Sequence, residues 1–264
     1  MPNFEGINAK IKRAANHASS LEADMDRFCI DIRPSIVHEV HEDAEEQAWV
    51  FRGETPNVPI DWSVRLGEIL YLLRSALDHL VWQLVLANGQ EPGPHNAFPI
   101  VRNEAAWRRR ARSELKGVSQ ANVSTIRRLQ PIEGGIGLPF DVSGLSRLHA
   151  LCNIDKHRHL ILAIVGVYGF RNRHNQPRFD GSSSGRPLQG RGRLGKIEKG
   201  SVVLCLNDAR RNFEPDFQIN IGFRDIGDSK VTAGTVPNIL AECLRAVRGA
   251  VGLLTPGGLL GSVH

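Results

Sequence analysis

Cysteine is scarce in this chain, and what there is stands apart. Cys29, Cys152, Cys205 and Cys243 are widely spaced within apolar runs. No CxxC or comparable ligand spacing occurs, which argues against a structural zinc and predicts buried free thiols. Long apolar runs are missing too: no stretch reaches the ~20 uninterrupted apolar residues of a membrane span. The nearest, residues 239–254, is broken by Glu242, Arg245 and Arg248 and reads as an amphipathic helix. The N-terminal stretch MPNFEGINAKIKRAANHASS lacks the apolar core of a signal peptide, so a cytoplasmic location without a membrane partner is expected. The chain also lacks a P-loop, a dinucleotide-type glycine pattern and a serine nucleophile elbow, and no cofactor is expected. GRGRLGK, at residues 190–196, precedes no apolar helix and reads as a flexible basic segment able to touch RNA.

What remains is a globular composition, 41% hydrophobic and 23% charged over 264 residues, enough for one large domain or two small ones. The net charge of +5 is unevenly placed. Residues 171–200 hold eight basic against two acidic residues, a local +6 that exceeds the whole chain's charge. WRRRAR, residues 107–112, adds Arg108, Arg109, Arg110 and Arg112 within six positions. Such clusters suit phosphate backbones, and equally a solvated face.

Apolar spacing of three and four predicts helices over residues 8–29, 61–88, 103–115, 120–129, 143–158 and 236–254. Alternation in SIVHEVHED and EEQAWVFRG predicts a β-hairpin at 35–52, and HLILAIVGVYGF, SVVLCLND and FQINIGFRD read as strands. Asp61 or Ser63 is the expected cap of the second helix and Gly89 its stop. The expected fold is a single α+β domain over residues 1–264. It is mainly a helical bundle, with its core at about 60–160, an inserted β-hairpin, a small C-terminal antiparallel sheet and a flexible basic loop at about 171–200.

The second helix carries the chemistry. At ~100° per residue, Leu66, Ile69, Leu70, Leu73, Leu77, Leu80, Val81 and Leu84 share one side. Arg74, Asp78, Tyr71, Trp82, Ser75, Glu68, His79 and Gln83 follow one another around the other. That second side has no lysine and two aromatic groups, unlike a solvated face built on Lys–Glu pairs. It suits a polar cleft or a satisfied helix–helix network. Arg74 and Asp78, four apart, can pair directly. Arg74 and His79 lie about 140° apart round the helix and can enter one groove from two sides. A histidine can give or take the proton of a ribose hydroxyl or leaving oxygen, and an arginine can hold the phosphate, with no metal required.

The spacing of Arg74 and His79, with four residues between, resembles the HEPN superfamily. The resemblance implies a helical, often dimeric protein and, as in many members, a metal-independent ribonuclease of toxin or phage-defence type with Arg74 and His79 catalytic. Where those enzymes often carry Asn or Asp after the arginine, this chain has Ser75. The same spacing at Arg33 and His38 contains Pro34 and falls in a predicted strand, so it is set aside. The chain also resembles a broad group of uncharacterised bacterial proteins sharing LRSALDHL (73–80), FPI (98–100), LQP (129–131) and NIDKHR (153–158). That likeness spans about residues 1–165; the HEPN one covers little beyond the helix.

NIDKHRH, residues 153–159, gathers Asn153, Asp155, Lys156, His157 and Arg158 at a helix end, where cations suit the macrodipole. His149, Asn153 and Lys156 share one face. If it meets the second helix, Asp155 can pair with Arg74, or Lys156 with Glu68 or Asp78, joining Arg74, His79, Asn153, Lys156 and His157 in one cluster. His157 and His159 point to different sides, so no metal is expected.

The first functional reading is a metal-independent endoribonuclease, a homodimer with paired central helices and a cognate antitoxin or defence partner. In it Arg74 binds the scissile phosphate and His79 is the general acid/base. Glu68, Ser75, Asp78, Asn153, Asp155, Lys156, His157 and Arg158 support them, while Arg108, Arg109, Arg110, Arg112, Arg191 and Arg193 hold the RNA backbone. The alternative is a non-catalytic binding or interaction protein in which Arg74–Asp78–His79 and Asn153–Arg158 form a structural polar network. A small-ligand pocket between helices and strands is a third reading.

Overall fold

The computed structural model describes residues 2–41, 46–55, 57–132, 143–157, 160–165, 171–172, 190–192, 197–206, 215–216, 219–223 and 234–255. It is an α+β protein. The apolar spacing of the N-terminal segment yields α1 (Glu5–Ile32), which buries Ile7, Ile11, Ala14, Ala18 and Leu21 in its first part and Met25, Cys29 and Ile32 in its second. Pro34 closes it in a 3-10 turn at Arg33–Ser35, since proline offers no N–H to continue the ladder.

Next comes α2 (Ile60–Ala87). It begins a residue earlier than expected, so Asp61 and Ser63 lie in its first turn rather than capping it, and Asp61 sits 3.9 Å from Arg65. Gly89 ends it as foreseen. Its φ of 67° is a left-handed conformation that glycine adopts without strain, and the Gly89 and Gln90 N–H groups bond back to the Leu86 and Val85 carbonyls. Asn103 caps α3 (Glu104–Glu114) by accepting from the Ala106 N–H at 2.8 Å. Ser119 caps α4 (Gln120–Arg128) from Asn122 at 3.3 Å. α5 (Ser143–Asp155) follows, and Thr235 caps α6 (Val236–Leu254) from Asn238 at 3.4 Å.

The chain divides into two compact units: Met1–Leu21 with Ile60–Leu160 and Ile226–His264, and Glu22–Pro59 with Ile161–Asp225. The sequence shows no linker between them because both are discontinuous and the first crossing falls inside α1. In the first unit α2 packs on α5 and α6, α5 on α6, and α4 on α6. Leu66, Ile69, Leu70, Leu73, Leu77, Leu80 and Val81 of α2 are fully buried. At about 1.5–3 kcal/mol per buried apolar side chain, this face is a major source of the unit's stability. Among the described residues α2 is also the one helix long and apolar enough to cross a membrane, at mean hydropathy 1.3, with half of that window buried inside the protein. Residues 239–254 are therefore not the nearest candidate, because the apolar residues of α2 outweigh the charges that interrupt it, Arg74 and Asp78 among them.

The second unit holds the strands, all paired antiparallel. β1 (Ile36–His41) and β2 (Glu46–Phe51) form the hairpin, Ile36 opposite Phe51. β3 (Leu162–Val165) pairs with β8 (Asn220–Phe223), and β4 (Arg171–Asn172) with β7 (Pro215–Asp216). β5 (Gly190–Gly192) and β6 (Val202–Leu206) extend the hairpin into a sheet of order β1-β2-β6-β5. Two expectations change. Of the expected C-terminal strands, β6 joins the hairpin's sheet while β3 and β8 pair apart from it, and residues 190–192 of the basic loop form an edge strand. Most of residues 171–200, with Arg193, lies outside the described residues, as does Arg158.

Candidate functional site

The site is built on the first unit's helices. α1 lies antiparallel along one flank of α2. The Asn3 N–H donates to Gln83 Oε1 (2.7 Å), Lys10 Nζ to Ser75 Oγ (2.5 Å), and Arg65 Nη2 to Ser20 Oγ (3.2 Å). His79 is exposed on this side. Desolvation and the Lys10 ammonium hold its pKa below the ordinary histidine range, opposed by Asp78.

Arg74 works on the opposite flank. Its Nε and Nη2 donate to Asp78 at 3.2 and 2.8 Å, and Nη2 also donates to the Phe98 carbonyl at 2.7 Å. Asp78 Oδ1 in turn accepts from the Phe98 N–H at 2.9 Å. The pair thus grips both polar groups of one loop residue. Arg74 Nη1 is sealed from solvent and has no hydrogen-bond partner among the described residues. Three more helices hold the same loop. Arg110 of α3 donates to the Ile100 carbonyl (3.1 Å) and pairs with Glu114 (2.6 Å). Buried Gln130, just after α4, accepts from the Val101 N–H (3.0 Å) and donates to the Ile126 carbonyl (2.9 Å). Arg102 Nε donates to Ser146 Oγ of α5 (2.9 Å).

On α5, Cys152 Sγ lies 3.6 Å from the Leu70 carbonyl, and burial pushes its thiol up to about 11. His149 Nε2 meets Asn153 Nδ2 at 3.2 Å. Desolvation first, then the charges of Arg74, Arg110, Lys156 and Arg102, lower His149 to about 4. Asp155 lies against Gly67 of α2, where an added Cβ would stand 2.6 Å from its carboxylate. A side chain at residue 67 would require the Asp155 carboxylate to move aside.

The exposed side of α3 is different in kind. Glu104, Ala105, Arg108, Arg109 and Arg112 line an open cleft of about 740 Å³. Glu104 is engaged by Arg127 and, at 3.6 Å, by Arg108. Arg127 also lies over the ring of buried Trp107, 5.6 Å from its centroid. Arg109 and Arg112 are exposed and have no acid or hydrogen-bond partner among the described residues.

The predicted residues therefore separate. Arg74 and Asp78 pair as expected, and Asp78 is also the charge felt by His79, yet Arg74 and His79 serve different flanks. Asp155 does not take Arg74; Asp78 and Phe98 do. Lys156 pairs with neither Glu68 nor Asp78 and stands exposed near His149, as do Asn153 and His157 at the same helix end, while Glu68 is exposed on α2. Ser75 is tied to Lys10. Arg110 turns inward, away from the cleft that Arg108, Arg109 and Arg112 line, and Arg191 lies on β5 in the other unit. Lys10, Arg102 and Gln130 carry no motif of their own. Only Gln130, within LQP, and Arg102, just after FPI, had a fragment of the sequence pointing near them, and Lys10 had none. No family model matches the chain, and no curated protein or solved structure gives a match.

Proposed function

We propose that this chain binds RNA through the exposed arginine face of α3, with the Arg74–Asp78 pair clamping the 98–101 loop beneath that function. The observation that carries the reading is a cleft whose wall offers Arg109 and Arg112 without acid partners among the described residues. Unpaired guanidinium groups along one helix face track a phosphate backbone and make affinity salt-dependent. Single-stranded RNA titrated by fluorescence anisotropy tests it. Arg109→Ala with Arg112→Ala weakens binding about tenfold and lowers the salt slope by about 0.7 per arginine. Unchanged affinity and slope in the double variant would sink the proposal.

A second reading, metal-independent RNA cleavage by Arg74 and His79, is favoured by one observation. His79 is exposed, with its pKa held below the ordinary histidine range by desolvation and Lys10, beside a stripe of exposed Ile60, Val64, Tyr71 and Trp82 on which two copies can pair. It expects a dimeric mass and RNA cleavage that His79→Ala abolishes without loss of RNA binding. A monomer, or cleavage indifferent to His79→Ala, removes it.

A further inference from the structure

We infer that the groove between α1 and α2, where Lys10 faces Ser75 and His79, is a binding site for a phosphate group. The two helices run antiparallel, and the bonds from Asn3 to Gln83 and from Lys10 to Ser75 fix their register. Between those two bonds Gly6 comes level with His79. A Cβ added at Gly6 would meet nothing within 4 Å, so the groove is open at the height of the ring. Gly6 and Lys10 stand one turn apart on α1, and Ser75, His79 and Gln83 follow one another at spacings of four on α2.

The side chains along this groove keep donors to spare. Lys10 Nζ gives one N–H to Ser75 Oγ at 2.5 Å, and Lys10 makes no ion pair among the described residues, so two N–H groups remain for a ligand. Ser75 accepts from Lys10, which leaves its own hydroxyl hydrogen to donate. Gln83 meets the Asn3 N–H through Oε1 and keeps its amide nitrogen as a donor. The His79 ring is exposed and has no hydrogen-bond partner among the described residues. As a helical side chain it leans back over the turn that carries Ser75. Desolvation and then the Lys10 charge lower its pKa, so ring and ammonium share one field.

The acids among the described residues here stand apart from the opening. Asp78, which also acts on His79, is held by Arg74 and the Phe98 N–H on the other flank. Glu68 lies seven residues before Ser75, roughly 10 Å along α2, and Glu5 turns about 140° away from Lys10 round α1. An ammonium, a hydroxyl, an imidazole and an amide around one opening suit the several oxygens of a phosphate. Arg74 does not serve it, since its Nη1 is sealed from solvent and its other donors hold Asp78 and Phe98. In RNA cleavage by His79, the cation beside the scissile phosphate is therefore Lys10.

The site depends neither on RNA cleavage nor on the α3 face. The test follows the His79 ring by NMR in the full chain while inorganic phosphate is added at constant pH and ionic strength, and a saturable shift is expected. Lys10→Gln, which removes the charge but can still donate to Ser75, weakens the response about tenfold. Gly6→Leu, whose side chain fills the opening and favours the helix, removes it while the fold stays intact. Competition in the chain carrying Arg109→Ala and Arg112→Ala identifies the source of the phosphate. Displacement by a 5′-phosphorylated RNA oligonucleotide alone assigns a terminal phosphate, displacement by its 5′-hydroxyl twin as well assigns the backbone, and displacement by neither assigns free phosphate. A response that chloride reproduces, that never saturates, or that either variant leaves intact overturns the inference. A saturable, Lys10-dependent response in a chain that cleaves no RNA keeps the site and removes the cleavage reading instead. Cleavage that His79→Ala abolishes and Lys10→Gln leaves unchanged overturns the role of Lys10 in it.

Discussion

Arg74 and Arg112 are guanidinium groups on helices of one unit, and they differ in what their donors do. Arg74 is mostly buried, grips Asp78 in two places and reaches the Phe98 carbonyl. Arg112 stands in solvent beside a cleft, with no acid to hold it among the described residues. Arg110, two residues away from Arg112 on the same helix, sides with Arg74: it bonds Glu114 and the Ile100 carbonyl. An arginine whose N–H groups already meet carbonyls and a carboxylate fixes a loop, whereas one that meets only water is available to a phosphate. Basic residues of equal charge thus divide by geometry into structural and ligand-facing sets.

The sharpest way to break this division is to remove Asp78. Asp78→Ala leaves the Arg74 guanidinium without its counter-charge and the Phe98 N–H without an acceptor. Breaking such a part-buried pair costs about 2–4 kcal/mol, less than for a fully sealed one, and lowers Tm by roughly 10 °C. Urea denaturation of the two proteins measures it. A loss under about 0.5 kcal/mol means the pair is not a clamp, and Arg74 returns to the ligand-facing set.

Much of this framework was legible in the sequence. The apolar side of α2, its stop at Gly89, the helices near 103, 120 and 236 and the hairpin all follow from local spacing, because each depends on contacts within a turn or between adjacent strands. The pairing of Arg74 with Asp78 was legible for the same reason, being one helical turn apart. What held them was not. Phe98, Ile100 and Val101 receive side chains from residues 24, 10 and 29 positions away, and such partners are fixed by tertiary packing alone. The fragments LRSALDHL, FPI and LQP turn out to be one network, since Arg74 and Asp78 hold Phe98 while Gln130 holds Val101. The inward turn of Arg110 within WRRRAR, and the cations around His149, were likewise invisible until α2, α3 and α5 met. The joining of β6 to the hairpin's sheet is a long-range pairing with β2, for which the alternation of either strand gives no signal.

Burial of His149, reinforced by the cations around it, leaves a trace in pH. His149 titrates at about 4 in the folded chain against its ordinary 6.5, so between those values the unfolded chain binds a proton that the folded one refuses. Stability is therefore complete above about pH 6.5 and is lost as pH falls toward about 4, with His79, also lowered, adding in the same direction. Allowing for solvent screening, His149 contributes about 1–2 kcal/mol of this loss. Denaturant midpoints at about pH 7 and pH 5 should separate in the wild type and draw together in His149→Gln. Equal separation in both would show that neither burial nor the surrounding cations lower the pKa of that ring.

The smallest expected effect is the one that sharpens the comparison most. Arg109→Ala with Arg112→Ala removes two charges with no acid or hydrogen-bond partner among the described residues, so unfolding free energy should move by no more than about 0.5 kcal/mol, within the range of ordinary surface changes. It can even rise slightly, since the chain carries a net +5 and relieving repulsion among Arg108, Arg109 and Arg112 favours the compact state. The same double variant is the one expected to lose RNA affinity, so stability and binding must come apart in it while Asp78→Ala loses stability. If the double variant instead unfolds several degrees lower, the α3 arginines have structural partners of their own, and the cleft they line is part of the scaffold.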